Sequence, residues 1–86
     1  MSITRQQTPN PNALKFVLPE KMFAQSINFP SVESAASNEL ANKLFALGNV
    51  YNVFMAQDFV TVNKFPNAEW EPLASQIELI IQEEII

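Results

Sequence analysis

The chain has no cysteine and no histidine, and only one glycine, Gly48, among its 86 residues. Without thiols there is no disulfide framework, no thiolate metal site and no dithiol redox couple. Without imidazole, the commonest general base and a preferred ligand of mononuclear iron are also missing. A single glycine cannot build a phosphate-cradling loop, which needs close backbone approach at several positions. Cations are scarce too: Arg5, Lys15, Lys21, Lys43 and Lys64 stand against nine carboxylates, for a net charge of −4. They are scattered, so no basic patch is available to neutralise phosphates, and nucleic acid is not an expected partner. No run approaches the roughly 20 apolar residues of a membrane-spanning helix. Residues 1–12 are polar and contain two prolines, unlike a signal peptide. These absences point to a cytoplasmic protein with no membrane partner.

What is present suffices for one core. Hydrophobic residues make up 48% of the chain, with seven Phe, one Trp and one Tyr, so a disordered chain is not expected. Residues 1–86 read as a single domain, with 1–12 an extended arm shaped by Pro9 and Pro11. From Ala13 the pattern alternates, with Leu14, Phe16 and Leu18 on one face and Lys15 and Val17 on the other. Residues 25–29 alternate likewise and stop at Pro30, and the short link between the two runs predicts an antiparallel hairpin. A helix follows, capped by Ser34 or Ser37, with Glu39 in its first turn and an apolar stripe of Leu40, Leu44 and Leu47. Gly48 is its expected left-handed stop.

Residues 50–56 and 59–65 read as two strands joined by a tight turn at Gln57 and Asp58. A last helix begins near residue 67 or 71, with Pro72 in its first turn and Trp70, Leu73, Ile77, Ile80 and Ile81 on one face. The order ββαββα predicts an α+β fold: a four-stranded, mainly antiparallel sheet with both helices on one face. The other sheet face is then left open.

Chemistry is hard to assemble from this inventory. A Ser–Lys arrangement would have to use Lys43 or Lys64, and no sequence context supports it. Glu69 with Glu71, or Glu83 with Glu84, offer oxygen ligands for a hard cation, but solvated helix carboxylates explain them better. We therefore expect no enzyme, no metal site and no directly bound cofactor. Alternation carries Asn28, Thr61 and Asn63 to the outer sheet face. The strand at 50–56 is ambiguous: Tyr51, Val53 and Met55 point one way, and Val50, Asn52, Phe54 and Ala56 the other. If Asn52 faces out, Phe54 joins Phe59 in an aromatic patch rimmed by amides and hydroxyls, a surface suited to protein docking. Asp58 and Thr61 belong to the same hairpin. The segment Thr8, Pro9, Asn10, Pro11 and Asn12 is either a recognition segment or a structured lead into the first strand.

Three segments carry a likeness. Residues 8–16 (Thr-Pro-Asn-Pro-Asn-Ala-Leu-Lys-Phe), 44–50 (Leu-Phe-Ala-Leu-Gly-Asn-Val) and 53–64 (Val-Phe-Met-Ala-Gln-Asp-Phe-Val-Thr-Val-Asn-Lys) together resemble the N-terminal domain of the Nfu/NifU iron–sulfur scaffold family. In that family the cluster is held by a separate C-terminal domain with a Cys-x-x-Cys, a motif absent here. The resemblance therefore implies an accessory module that contacts protein partners, such as an iron–sulfur scaffold, a carrier or a client apo-protein, and holds no cluster ligands itself. The partner-binding residues expected are Asn52, Phe54, Asp58, Phe59 and Thr61, with Thr8, Pro9, Asn10 and Pro11. The alternatives are a homo-oligomer associating through Ile85, Ile86 and the edge strands, or a fragment of a longer scaffold.

Overall fold

The computed structural model describes residues 3–85, with no side-chain description at Ile85. Its elements are β1 (Thr4–Gln7), β2 (Ala13–Val17), β3 (Phe23–Phe29), α1 (Glu39–Phe45), β4 (Val50–Gln57), β5 (Phe59–Lys64) and α2 (Trp70–Ile85). The strands form one antiparallel sheet in the order β1-β2-β5-β4-β3.

The α+β class stands, and two details of the expected topology need correction. The sheet has five strands, because part of the arm is a strand: Thr4 pairs with Val17 and Gln7 with Leu14. All four residues of β1 are exposed and polar, so no apolar alternation marks it. The expected hairpin between β2 and β3 does not exist. β2 pairs with β5 and β3 with β4, leaving two strands between them. Three strand spacings are about 14 Å, within reach of five extended residues. The link 18–22 makes that crossing over the β4–β5 turn, where Leu18 N–H donates to the Asp58 carbonyl at 2.6 Å and Met22 N–H to that of Gln57 at 2.8 Å. Ala56 pairs with Phe59 across this two-residue turn. Gln57 takes a φ of 48°, the positive φ that tight two-residue hairpin turns require at their first position.

Alternation then sorts the side chains. Leu14, Phe16, Val53, Met55, Val60 and Val62 are buried on the inner face. They share one core with Leu40, Leu44, Leu73, Ile77 and Ile81, so both helices pack on that face. Ile27 pairs with Met55 on the same side, yet it is 39% exposed. Its strand lies at the edge of the sheet, which leaves this inward position open to solvent. The pairing of β3 with β4 is also irregular between Phe23 and Ile27.

α1 is capped by neither serine. Asn38 takes the cap, its Oδ1 accepting from Ala41 N–H at 2.9 Å. Ser31 and Ser34 bond each other's backbone in the preceding turn instead. Gly48 has the expected positive φ, 94°. In α2, Glu71 is not helical (φ −104°, ψ 127°), and the regular helix starts at Pro72. The stripe expected on α2 holds: Leu73, Ile77 and Ile81 are buried, with Trp70 and Ile80 packed against the core.

Candidate functional site

The register brings the outer-face residues into rows. One row crosses all five strands as Gln6, Lys15, Thr61, Phe54 and Asn28. The next runs Thr4, Val17, Phe59 and Ala56, and a third runs Ala13, Asn63 and Asn52. The ambiguity in β4 is resolved by a bulge. Val50 opposes Lys64 while Asn52 opposes Asn63, so Tyr51 is the extra residue. Val50 is thereby buried, contrary to simple alternation, and Tyr51 is exposed. Asn52 and Phe54 take the outer face.

Phe54 and Phe59 stack at 6.0 Å between ring centroids, tilted by 41°. Such a pair adds about 0.5–1.5 kcal/mol beyond its area burial. The Lys15 ammonium lies 4.4 Å from the centre of the Phe59 ring, a cation–π contact. Asn52 Nδ2 donates to Asn28 Oδ1 at 3.1 Å. Lys15, Val17, Asn52, Phe54, Phe59, Thr61 and Asn63 are all half-buried, and both helices lie on the opposite side of the sheet. Asn52, Phe54, Phe59 and Thr61 therefore meet on one surface. Asp58 does not join them: it sits in the turn beyond Phe59, with its carbonyl engaged by Leu18.

Residues 8–11 lie elsewhere. They form the β1–β2 loop, at the end where Ala13 pairs with Asn63, whereas Asp58 lies beyond the end where Val17 pairs with Phe59. Four strand residues, about 13 Å, separate the two ends. The loop is tightly held. Thr8 Oγ1 lies 2.9 Å from the Asn10 carbonyl and 3.0 Å from that of Ala13, and it accepts from Asn10 N–H at 3.2 Å. Asn12 N–H donates to Asn10 Oδ1 at 2.9 Å. Trp70 Nε1 donates to the Pro11 carbonyl, and Lys64 Nζ to Asn12 Oδ1, each at 3.0 Å. This geometry is a structured lead into β2, clamped by Trp70 and Lys64.

Arg5, Lys43 and Lys64 have structural posts, whereas Lys21 is exposed and enters no ion pair among the described residues. Arg5 faces inward from β1 and binds Glu71 and Glu78, each at 3.1 Å, with Ser75 at 3.3 Å. Lys43 reaches Glu84 at 2.6 Å and Glu39 at 3.8 Å, joining α1 to α2. The hydrogen bond to Glu84 raises the Lys43 ammonium above its ordinary value of 10.5. Lys64 is 6% exposed beneath Trp70, with its ammonium 5.7 Å from the ring centre. The grooves of this surface are open ones. One of about 440 Å³ runs beside Asn12, Lys64 and Trp70. Another of about 420 Å³ is lined by Val32, Tyr51 and Phe65. Among the described residues no cluster of three or more carboxylates is arranged to hold a metal ion, and no helix is long and apolar enough to cross a membrane.

Two residues escaped the sequence reading of the site. Alternation puts Lys15 on the face opposite Leu14 and Phe16, but only the cross-strand register brings it against Phe59. Lys64 follows Val60 and Val62 at spacing two, a parity that marks it as inward-facing.

A family model described as "Scaffold protein Nfu/NifU N terminal" matches residues 3–86. The mitochondrial NifU-like protein 5 of Arabidopsis thaliana is 40% identical over 85 residues, covering 96% of this chain and 30% of that protein. The mitochondrial NFU1 iron–sulfur cluster scaffold homologue of Drosophila willistoni is 35% identical, covering 96% of this chain and 29% of that protein. The chain thus spans about 30% of the length of these relatives. A crystal structure of Staphylococcus aureus protein SAV1430 superposes with a TM-score of 0.78 at 26% identity, covering 94% of this chain and 99% of that one. A solution structure of a NifU-like protein from Saccharomyces cerevisiae shares the fold, with a TM-score of 0.83 at 24% identity, covering 96% of this chain and 76% of that one. The expectation of a cytoplasmic protein is overturned by these names, since the Arabidopsis and Drosophila relatives are mitochondrial. Its premise was too weak: a polar N-terminal segment argues against a secretory signal and does not discriminate between cytosol and mitochondrion.

Proposed function

Because the chain belongs to the Nfu/NifU scaffold N-terminal family, we propose that it is a non-catalytic protein-interaction module accessory to iron–sulfur cluster assembly or delivery. It docks on a scaffold, carrier or client apo-protein through the outer sheet face and supplies no cluster ligands. The supporting observation is the uncovered face itself, where Phe54 and Phe59 stay half-buried amid Asn52, Asn28, Asn63 and Thr61. Aromatic anchors inside a polar rim are the anatomy of a docking surface. The chain's lack of Cys and His fits a role in which the partner holds the cluster.

The experiment is an amide NMR titration of the labelled protein with a purified iron–sulfur cluster carrier. Localised shifts on residues 52–61 are expected. Phe54→Ala and Phe59→Ala should each weaken binding by about tenfold or more while leaving a dispersed spectrum. Unchanged affinity in both folded variants would exclude this face. The Thr8 to Pro11 loop is expected to shift only weakly, because its polar groups are already engaged within the chain. The homo-oligomer reading based on Ile85 and Ile86 falls on residues whose side chains lie outside those described, and sedimentation across a concentration series addresses it directly.

A further inference from the structure

The charges of this molecule are sorted by face. Of the nine carboxylates, Glu20 lies in the crossing link, Glu33 in the loop before α1, Glu39 in α1 and Asp58 in the β4–β5 turn. Glu69, Glu71, Glu78, Glu83 and Glu84 belong to α2 and its approach. None lies on the outer face of a strand. That face carries one ionised side chain, Lys15, in a molecule of net charge −4. Among the described residues the ion pairs are made by Arg5 and Lys43, and Lys15 enters none of them. Its ammonium is held on the Phe59 ring, beside Thr61 in the next strand.

Resting on the docking face proposed above, we infer that the partner presents an acidic–apolar segment to it: an Asp or Glu that pairs with Lys15, next to an apolar side chain that packs on Phe54 and Phe59. Charge complementarity supports this choice. A carboxylate arriving at this face meets an ammonium that lacks an anion and no like charge. A basic segment would meet Lys15 itself and no carboxylate, which costs rather than gains. On the helix-bearing side five carboxylates of α2 and its approach share only Arg5 and Lys43 as paired cations, so that side stays net negative and disfavours such a segment.

The test uses two synthetic peptides of equal length and identical Leu and Phe content, one carrying Glu and the other Lys at the same positions. The acidic peptide is expected to shift the amides of Lys15, Phe54 and Phe59, with affinity falling as salt is raised. The basic one leaves them in place. Lys15→Gln should weaken the acidic peptide about three- to tenfold, between an exposed and a desolvated pair, and Lys15→Arg should retain it. Equal shifts from both peptides overturn the inference. So does full affinity in Lys15→Gln combined with loss in Phe54→Ala, an outcome that leaves the docking face standing. If neither substitution changes binding, the face fails as well.

Discussion

Gly48 has a φ of +94°, and nothing stands within 4 Å of the place a Cβ would take. A side chain there meets backbone strain and no clash. Gly48→Ala is expected to cost about 1 kcal/mol, measured as a lower urea midpoint with unchanged slope. Lys43 behaves differently. Its hydrogen bond to Glu84, and then the charges of Glu84, Glu39 and Glu83, lift its folded pKa above 10.5 against the opposing effect of burial. The contribution is therefore complete below the unfolded pKa and disappears as pH rises through the folded one. The stability gap between the native protein and Lys43→Gln should stay constant from neutral pH and close only above pH 10.5, as followed by denaturation at a series of pH values. Single residues also mark what sequence reading reaches. Asn52, Phe54, Phe59 and Thr61 share a face because strands alternate, and that much is legible. The bulge at Tyr51 and the contact of Lys15 with Phe59 depend on a neighbouring strand, which no local pattern encodes.

At the scale of elements, α2 shows how strictly the apolar period sorts its residues. Ile77 is 0% exposed and Leu79, two positions on, is 58% exposed. Ile77→Ala is expected to cost about 2–5 kcal/mol, and Leu79→Ala to stay within about 0.5 kcal/mol, both by urea denaturation. Both helices, β2, β4 and β5 were legible because apolar residues recur at the spacing of each element. β1 was not, since its Thr-Arg-Gln-Gln sequence has no apolar residue and is fixed by pairing along β2 and by the bonds of Arg5 to α2. The false hairpin between β2 and β3 came from reading a short link as a turn. That link instead lies across another turn, and the cue for it sits about 40 residues downstream at Gln57 and Asp58.

For the whole molecule, the sheet order puts β5 in the middle, flanked by β2 and β4, with β1 and β3 at the edges. Native-state hydrogen exchange should be slowest at Val60 and Val62, whose side chains are fully buried, and fastest in β1, whose residues are all exposed. Faster exchange in β5 than in β1 would contradict this arrangement. The two edges differ in protection. β3 carries no charged side chain, but its irregular pairing between Phe23 and Ile27 interrupts the regular template that another chain would need. The central strand is also the last of the five in the sequence, with a consequence for synthesis. While the chain emerges from the ribosome, β2 has no inner neighbour and β4 lacks one of its two until Lys64 has cleared the exit tunnel. The sheet cannot mature outward from its first-made end. It closes when its last-made strand slots between two waiting halves, so the nascent chain passes through a stage in which Phe16, Val53 and Met55 still lack the strand that completes their core.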